Sequence, residues 1–126
     1  MSDTIAQKHA RLIDRLYERT MSKRIEWRTN VFDKELYAEI ADLTVKLVAD
    51  NNNGVPIETV KVLRNSTLIE SFNDEELTLE TPPSRTSFET YWKMMTALRI
   101  AASRQASGAE EAVDTMLSAL DDDDEF

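Results

Sequence analysis

Apolar positions recur at helical spacing near both ends of the chain and alternate in its middle. From about Thr4 to Met21, Ile5, Leu12, Ile13, Leu16 and Thr20 fall on one side at 3.6 residues per turn, with Ala6, His9 and Tyr17 on or near it. This pattern predicts an amphipathic first helix. Lys8, Arg11, Arg15 and Arg19, spaced three or four apart, form a basic stripe along one flank of its apolar side.

The period then changes to two. Ile25, Trp27 and Thr29 alternate with Glu26 and Arg28; Leu36, Ala38 and Ile40 alternate with Tyr37 and Glu39. Ala41 and Asp42 are a hairpin turn, and Leu43, Val45 and Leu47 alternate with Thr44 and Lys46 on the return strand. Asn51, Asn52, Asn53 and Gly54, just before Pro56, read as a loop, because Asn and Gly tolerate positive φ. Ile57 to Leu63 is a further strand, Asn65 and Ser66 a second tight turn, and Thr67 to Phe72 the last strand. The sum is a meander of about five strands.

Asn73 followed by Glu76 has capping-box spacing, so Asp74 to Leu79 is expected to make one or two helical turns. Thr81, Pro82, Pro83 and Ser84 form a stiff connector. Thr86 and Glu89 repeat the capping spacing and are expected to open the longest helix, with Phe88, Tyr91, Met95, Leu98 and Ala102 as its stripe and Trp92, Met94, Ala101 and Ala106 broadening it. Gly108 is its stop, and Ala112, Val113, Met116, Leu117 and Leu120 give a final helix of about ten residues.

This order describes an α+β fold: an antiparallel meander sheet of about five strands, flanked by an N-terminal helix and two C-terminal helices that cover one face. Tyr37, Glu39, Thr44, Lys46, Lys61 and Glu70 are the polar set expected on the other face. Residues 1–120 form the single domain. The chain ends in five consecutive carboxylates, Asp121, Asp122, Asp123, Asp124 and Glu125, followed by Phe126, and 121–126 is expected to be a disordered acidic tail. If the helices leave a hydrophobic strip uncovered, a homodimer would hide it, at Trp92 or Met94.

Composition narrows the function more than it names one. The 126 residues carry a net charge of −9, which argues against direct general nucleic-acid binding. The charge is uneven: residues 1–24 hold six basic and three acidic side chains, a local +3, so residues 25–126 carry −12. The absence of cysteine excludes a disulfide framework and fits a cytoplasmic protein; neither a signal sequence nor a membrane span is apparent.

Catalytic patterns are missing. The lone His9 sits within an apolar stripe, and two glycines cannot build a phosphate-binding loop. The aspartate run lacks the alternating ligands and turn glycine of an EF-hand, so neither a cofactor nor a metal site is expected.

Two resemblances bear on the reading. Leu16, Arg19, Thr20, Ile25 and Trp27, together with Leu98 to Arg104 and then Ala106, Gly108, Ala109, Glu111, Ala112, Asp114 and Leu117, resemble a family of small bacterial proteins of mobile and phage-like settings. That family has no assigned activity, so the likeness implies a fold and a bacterial origin. The last six residues are similar to the acidic, Phe-terminated tips of single-stranded-DNA-binding proteins, which recruit replication and repair enzymes, although no proline precedes Phe126 and no long linker leads to it.

These features together lead to the expectation of a non-enzymatic interaction or regulatory protein. Its partner is expected at Arg11, Arg15 and Arg19 on the first helix and at Asp121, Asp122, Asp123, Asp124, Glu125 and Phe126. The alternative is an acidic inhibitor, an immunity protein or DNA mimic, that occupies a basic site of another protein.

Overall fold

The computed structural model describes residues 3–30 and 35–123. Helix α1 (Ile5–Met21) opens with a reciprocal cap in which the Gln7 amide donates to Thr4 Oγ1 (3.1 Å) and the Thr4 amide to Gln7 Oε1 (2.9 Å). It closes without a glycine. Lys23 takes the left-handed conformation at φ 60°, and the Lys23 and Arg24 amides return to the Thr20 and Arg19 carbonyls.

Five strands follow as an antiparallel meander in the order β1 (Arg28–Thr29), β2 (Leu36–Ile40), β3 (Leu43–Asn52), β4 (Val55–Arg64) and β5 (Thr67–Asn73). The fold is therefore the α+β arrangement read from the sequence. Register places Leu36 and Ala38 opposite Leu47 and Val45, which face Val60 and Val62; Val60 in turn meets Phe72. These side chains form the sheet half of the core.

Helices α1 and α2 (Tyr91–Ser107) supply the other half: Ala10, Ile13 and Leu16 from the first, Tyr91, Met94, Met95, Leu98 and Ala102 from the second. Burial of a side chain such as Ile13, Leu98 or Phe72 contributes about 1.5–3 kcal/mol. Trp27 extends the core past the end of β1, and its indole N–H donates to Thr20 Oγ1 at 2.8 Å.

Several local expectations are corrected. The Asn51–Gly54 cluster is a tight hairpin rather than a loop: strands pair through Asn52 and Val55, and Asn53 and Gly54 (φ 52° and 87°) make the turn, whose Gly54 amide donates to Asn51 Oδ1. The capping box at Asn73 and Glu76 forms, but it starts a single 3-10 turn, Asp74–Leu77. Helix α2 begins at Tyr91, not near Thr86, because Ser87 adopts φ 63° after a 3-10 turn at Ser84–Thr86 and so interrupts helical geometry. Thr90 is the cap, accepting from the Lys93 amide.

Glu70 is also corrected. It shares strand phase with the buried Phe72 and lies opposite Val62, on the side facing α1, with His9 Nε2 at 3.6 Å from its carboxylate. A register shift between Val62 and Leu63 sends Leu68 to the opposite side.

Helix α3 (Ala109–Asp123) is longer than the ten residues expected, starting directly after Gly108 and continuing three residues into the acidic run. No basic residue stands in its last turn, where the helix dipole disfavours the carboxylates that extend it. It does not cover the sheet. Its substantial contacts, among the described residues, are with α2 alone.

Candidate interaction surface

Among the described residues, buried side-chain nitrogens and oxygens find partners within the chain. Glu58 on β4 is 6% exposed and accepts from Arg99 Nε on α2 at 2.7 and 3.0 Å and from Thr96 Oγ1 at 3.3 Å. Its own amide donates to Asp74 Oδ1 at 2.7 Å, so one residue ties β4 to both α2 and the 3-10 turn. The ion pair holds the Arg99 guanidinium more firmly protonated than usual, while burial, outweighing the Glu58 amide, raises Asp74. Glu58 was missed in the sequence, although its phase with Val60 and Val62 places it on the core side.

On the other side of α2 the Tyr91 hydroxyl donates to Asp14 Oδ1 at 2.9 Å; burial and that carboxylate both push the phenol upward. His9 stacks on Phe72 with ring centres 3.9 Å apart and 6° between planes. No described buried side-chain nitrogen or oxygen lacks a partner, and no described His, Asp and Glu side chains converge as a metal would require. Each of these contacts joins two elements of the fold: α1 to α2 through Asp14 and Tyr91, and α1 to β5 through His9 and Phe72.

The unmet surface is at α3. Val113, Met116, Leu117 and Leu120 recur on one side of the helix, 49%, 63%, 54% and 55% exposed. Glu110, Asp114 and Asp121, four and seven residues apart, line an adjoining side with Glu111 and Asp122 next to them. Fifteen residues make a rod of about 22 Å.

The rod departs from α2 at Gly108, whose left-handed φ of 71° ends that helix with its amide returning to the Arg104 and Gln105 carbonyls. Arg104 Nε and Nη2 donate to Glu110 Oε1 at 3.0 and 2.6 Å, lowering the Glu110 carboxyl, with Lys23 adding to the same effect.

Beside this junction runs a groove of about 780 Å³ between α1 and α2. Ala97 and Ala101 are small residues in its lining, Tyr17, Met21 and Ile100 supply apolar bulk, and Lys23 and Arg104 supply positive charge. From α3 itself the groove is lined by Glu110, Glu111 and Asp114, not by the apolar stripe. A second, more polar cavity of about 650 Å³ lies between Arg24, Trp27, Arg28, Tyr37 and Gln105.

The segments expected to meet a partner are distributed over this surface. Arg11 pairs with Asp3, and Arg15 lies 3.7 Å from Glu18, so both make ion pairs within the N-terminal segment; Arg19 is exposed in the last turn of α1. Asp121 and Asp122 are exposed on α3, which also includes Asp123. Asp124, Glu125 and Phe126 lie outside the described residues. Of the two positions named for an uncovered hydrophobic strip, Met94 is 1% exposed, in the core, and Trp92 is 36% exposed.

Compared with protein-family models, curated proteins and solved structures, the chain finds no match. Among the described residues no helix is long and apolar enough to cross a membrane.

Proposed function

We propose that this is a non-enzymatic interaction or regulatory protein of the bacterial cytoplasm, and that α3 is its recognition element. The observation that carries the reading is the exposed stripe of Val113, Met116, Leu117 and Leu120 on a helix whose adjoining side is acidic. Four large apolar side chains kept half in water gain nothing for the isolated chain; covered by a partner they would supply the anchor, with the carboxylates steering the approach. Asp121, Asp122 and Asp123 of the acidic run belong to this helix, Asp124, Glu125 and Phe126 follow them in the chain as part of the same proposed contact, and the Arg11, Arg15 and Arg19 flank of α1 is a second, cationic contact.

A second reading, an acidic inhibitor seated in a basic site, is favoured by the line of Glu110, Asp114 and Asp121 on a regular helix, since fixed spacing is what a phosphate mimic requires. Two sets of variants separate the readings in capture experiments from bacterial lysate. Leu117→Glu with Leu120→Glu removes the stripe; Glu110→Gln, Asp114→Asn and Asp121→Asn together remove the line of charge. Loss of the partner with the first set supports the docking helix. Loss only with the second, and steep salt sensitivity, supports the inhibitor; retention by both sets contradicts a role for α3.

A further inference from the structure

Strand β5 ends the sheet, and its seven residues, Thr67 to Asn73, carry one charge, at Glu70. Thr67 to Ser71 are exposed, with Leu68 at 53% and Ile69 at 48%. Apart from β4, the substantial contacts of β5 among the described residues are with the 3-10 turn that follows it. An edge of this kind, β-prone, free of Pro and Gly and bearing large apolar side chains, is a template for another strand. The opposite edge poses less of a hazard, since β1 is two residues long.

In an antiparallel ladder, alternate residues turn their amides toward the neighbouring strand and away from it. On β5 two amides of one phase donate to carboxylates of the chain itself, Ser71 to Glu70 Oε1 and Asn73 to Glu76 Oε2, each at 3.0 Å. These are the donors that a further strand would need. Ile69 shares their phase and is the residue left without a partner on β4 by the register shift, between the pairs Val62 with Glu70 and Leu63 with Leu68. The other Glu70 oxygen lies 3.6 Å from His9 Nε2 on α1, so the side chain is held at the rim of the sheet.

Glu70 is also the middle residue of the strand. Full-length antiparallel pairing of two β5 edges would set position 70 of one copy opposite position 70 of the other, and like charges directly opposite destabilise such a pair. One side chain thus opposes pairing twice, by occupying the Ser71 amide and by its charge.

We propose that Glu70 is a gatekeeper that closes the β5 edge against strand addition, the excluded strand being β5 of a second copy. This device belongs to the body of the fold and is independent of the recognition assigned to α3.

The test uses the full chain. Glu70→Ala is expected to lower the concentration at which association beyond the parent's sets in by roughly tenfold or more, the scale of one newly available hydrogen bond. Light scattering after size exclusion reads the onset, and the amide I infrared spectrum is expected to gain an intermolecular antiparallel band. Adding Ser71→Pro removes the outward amide and, because that amide donates to Glu70 rather than to β4, removes no ladder bond. The double variant is expected to return to the parent's behaviour. This rescue separates edge pairing from unfolding, since a proline in the strand does not restore stability lost at position 70. A Glu70→Ala chain that associates no more than the parent overturns the gatekeeper, and so does association that persists in the double variant.

Discussion

Arg99 Nε sits between the two carboxylate oxygens of Glu58, 2.7 and 3.0 Å away, and so fastens α2 to the inner side of β4. A carboxylate this buried is tolerable only while its partner and hydrogen bonds remain. Arg99→Leu is therefore expected to destabilise the fold by roughly 3 kcal/mol, whereas adding Glu58→Leu to it should recover most of the loss, because the stranded charge is gone. Urea denaturation of the two variants checks the asymmetry. Equal losses in the single and double variants would contradict it.

Asp14 governs a pH dependence of stability. Burial raises its carboxyl above the ordinary 3.8, outweighing the Tyr91 hydroxyl and the Arg85 and Arg15 charges. The folded protein then keeps a proton that the unfolded chain has released, so this contribution is fullest below pH 3.8 and declines as pH rises through the folded value. Asp14→Asn retains an oxygen to accept from Tyr91 but cannot ionise. Its stability relative to the parent is expected to improve as pH climbs through that window, followed by urea midpoints at successive pH values; a difference independent of pH contradicts the assignment.

Gly54 occupies the turn between β3 and β4 at φ 87°, where an added Cβ would meet no atom within 4 Å. The cost of Gly54→Ala is consequently a backbone cost, about 1–2 kcal/mol, with no clash added to it. Chemical denaturation should show that loss while hydrogen exchange in the flanking strands of the folded state keeps its native pattern. A stability equal to the parent's would mean the turn has another geometry.

How much of this was legible in the sequence depends on whether the controlling interaction is local. The period of Leu12, Ile13 and Leu16 predicts α1, and the alternation through Leu36, Ala38, Val45 and Leu47 predicts the strands, because side-chain phase follows directly from backbone geometry. The closing turn of α1 was not legible, since Lys23 fills a left-handed position that glycine usually marks. Thr86, with Glu89 three residues on, has the better capping pattern, yet Thr90 is the cap; the choice is made by the positive φ at Ser87, which no residue type there announces. Glu58 was within reach of strand phase, but its partner Arg99 lies forty-one residues away on another element.

The surface at α3 was half visible. Periodicity identified Val113, Met116, Leu117 and Leu120 as an apolar side; it carries no information about what covers that side. The structure adds that the described chain leaves it uncovered.

Recognition by α3 requires that the helix be an addition to a body that folds without it. A chain truncated after Gly108 retains α1, the sheet and α2, and with them every residue of the buried core. Its amide and methyl NMR spectra, recorded beside capture from bacterial lysate and mass measurement in solution, are expected to keep the dispersion of a folded core while every specific association of the full-length protein is lost. Collapse of the dispersion would make α3 part of the fold, and a truncated chain that keeps the parent's associations would contradict its role in recognition.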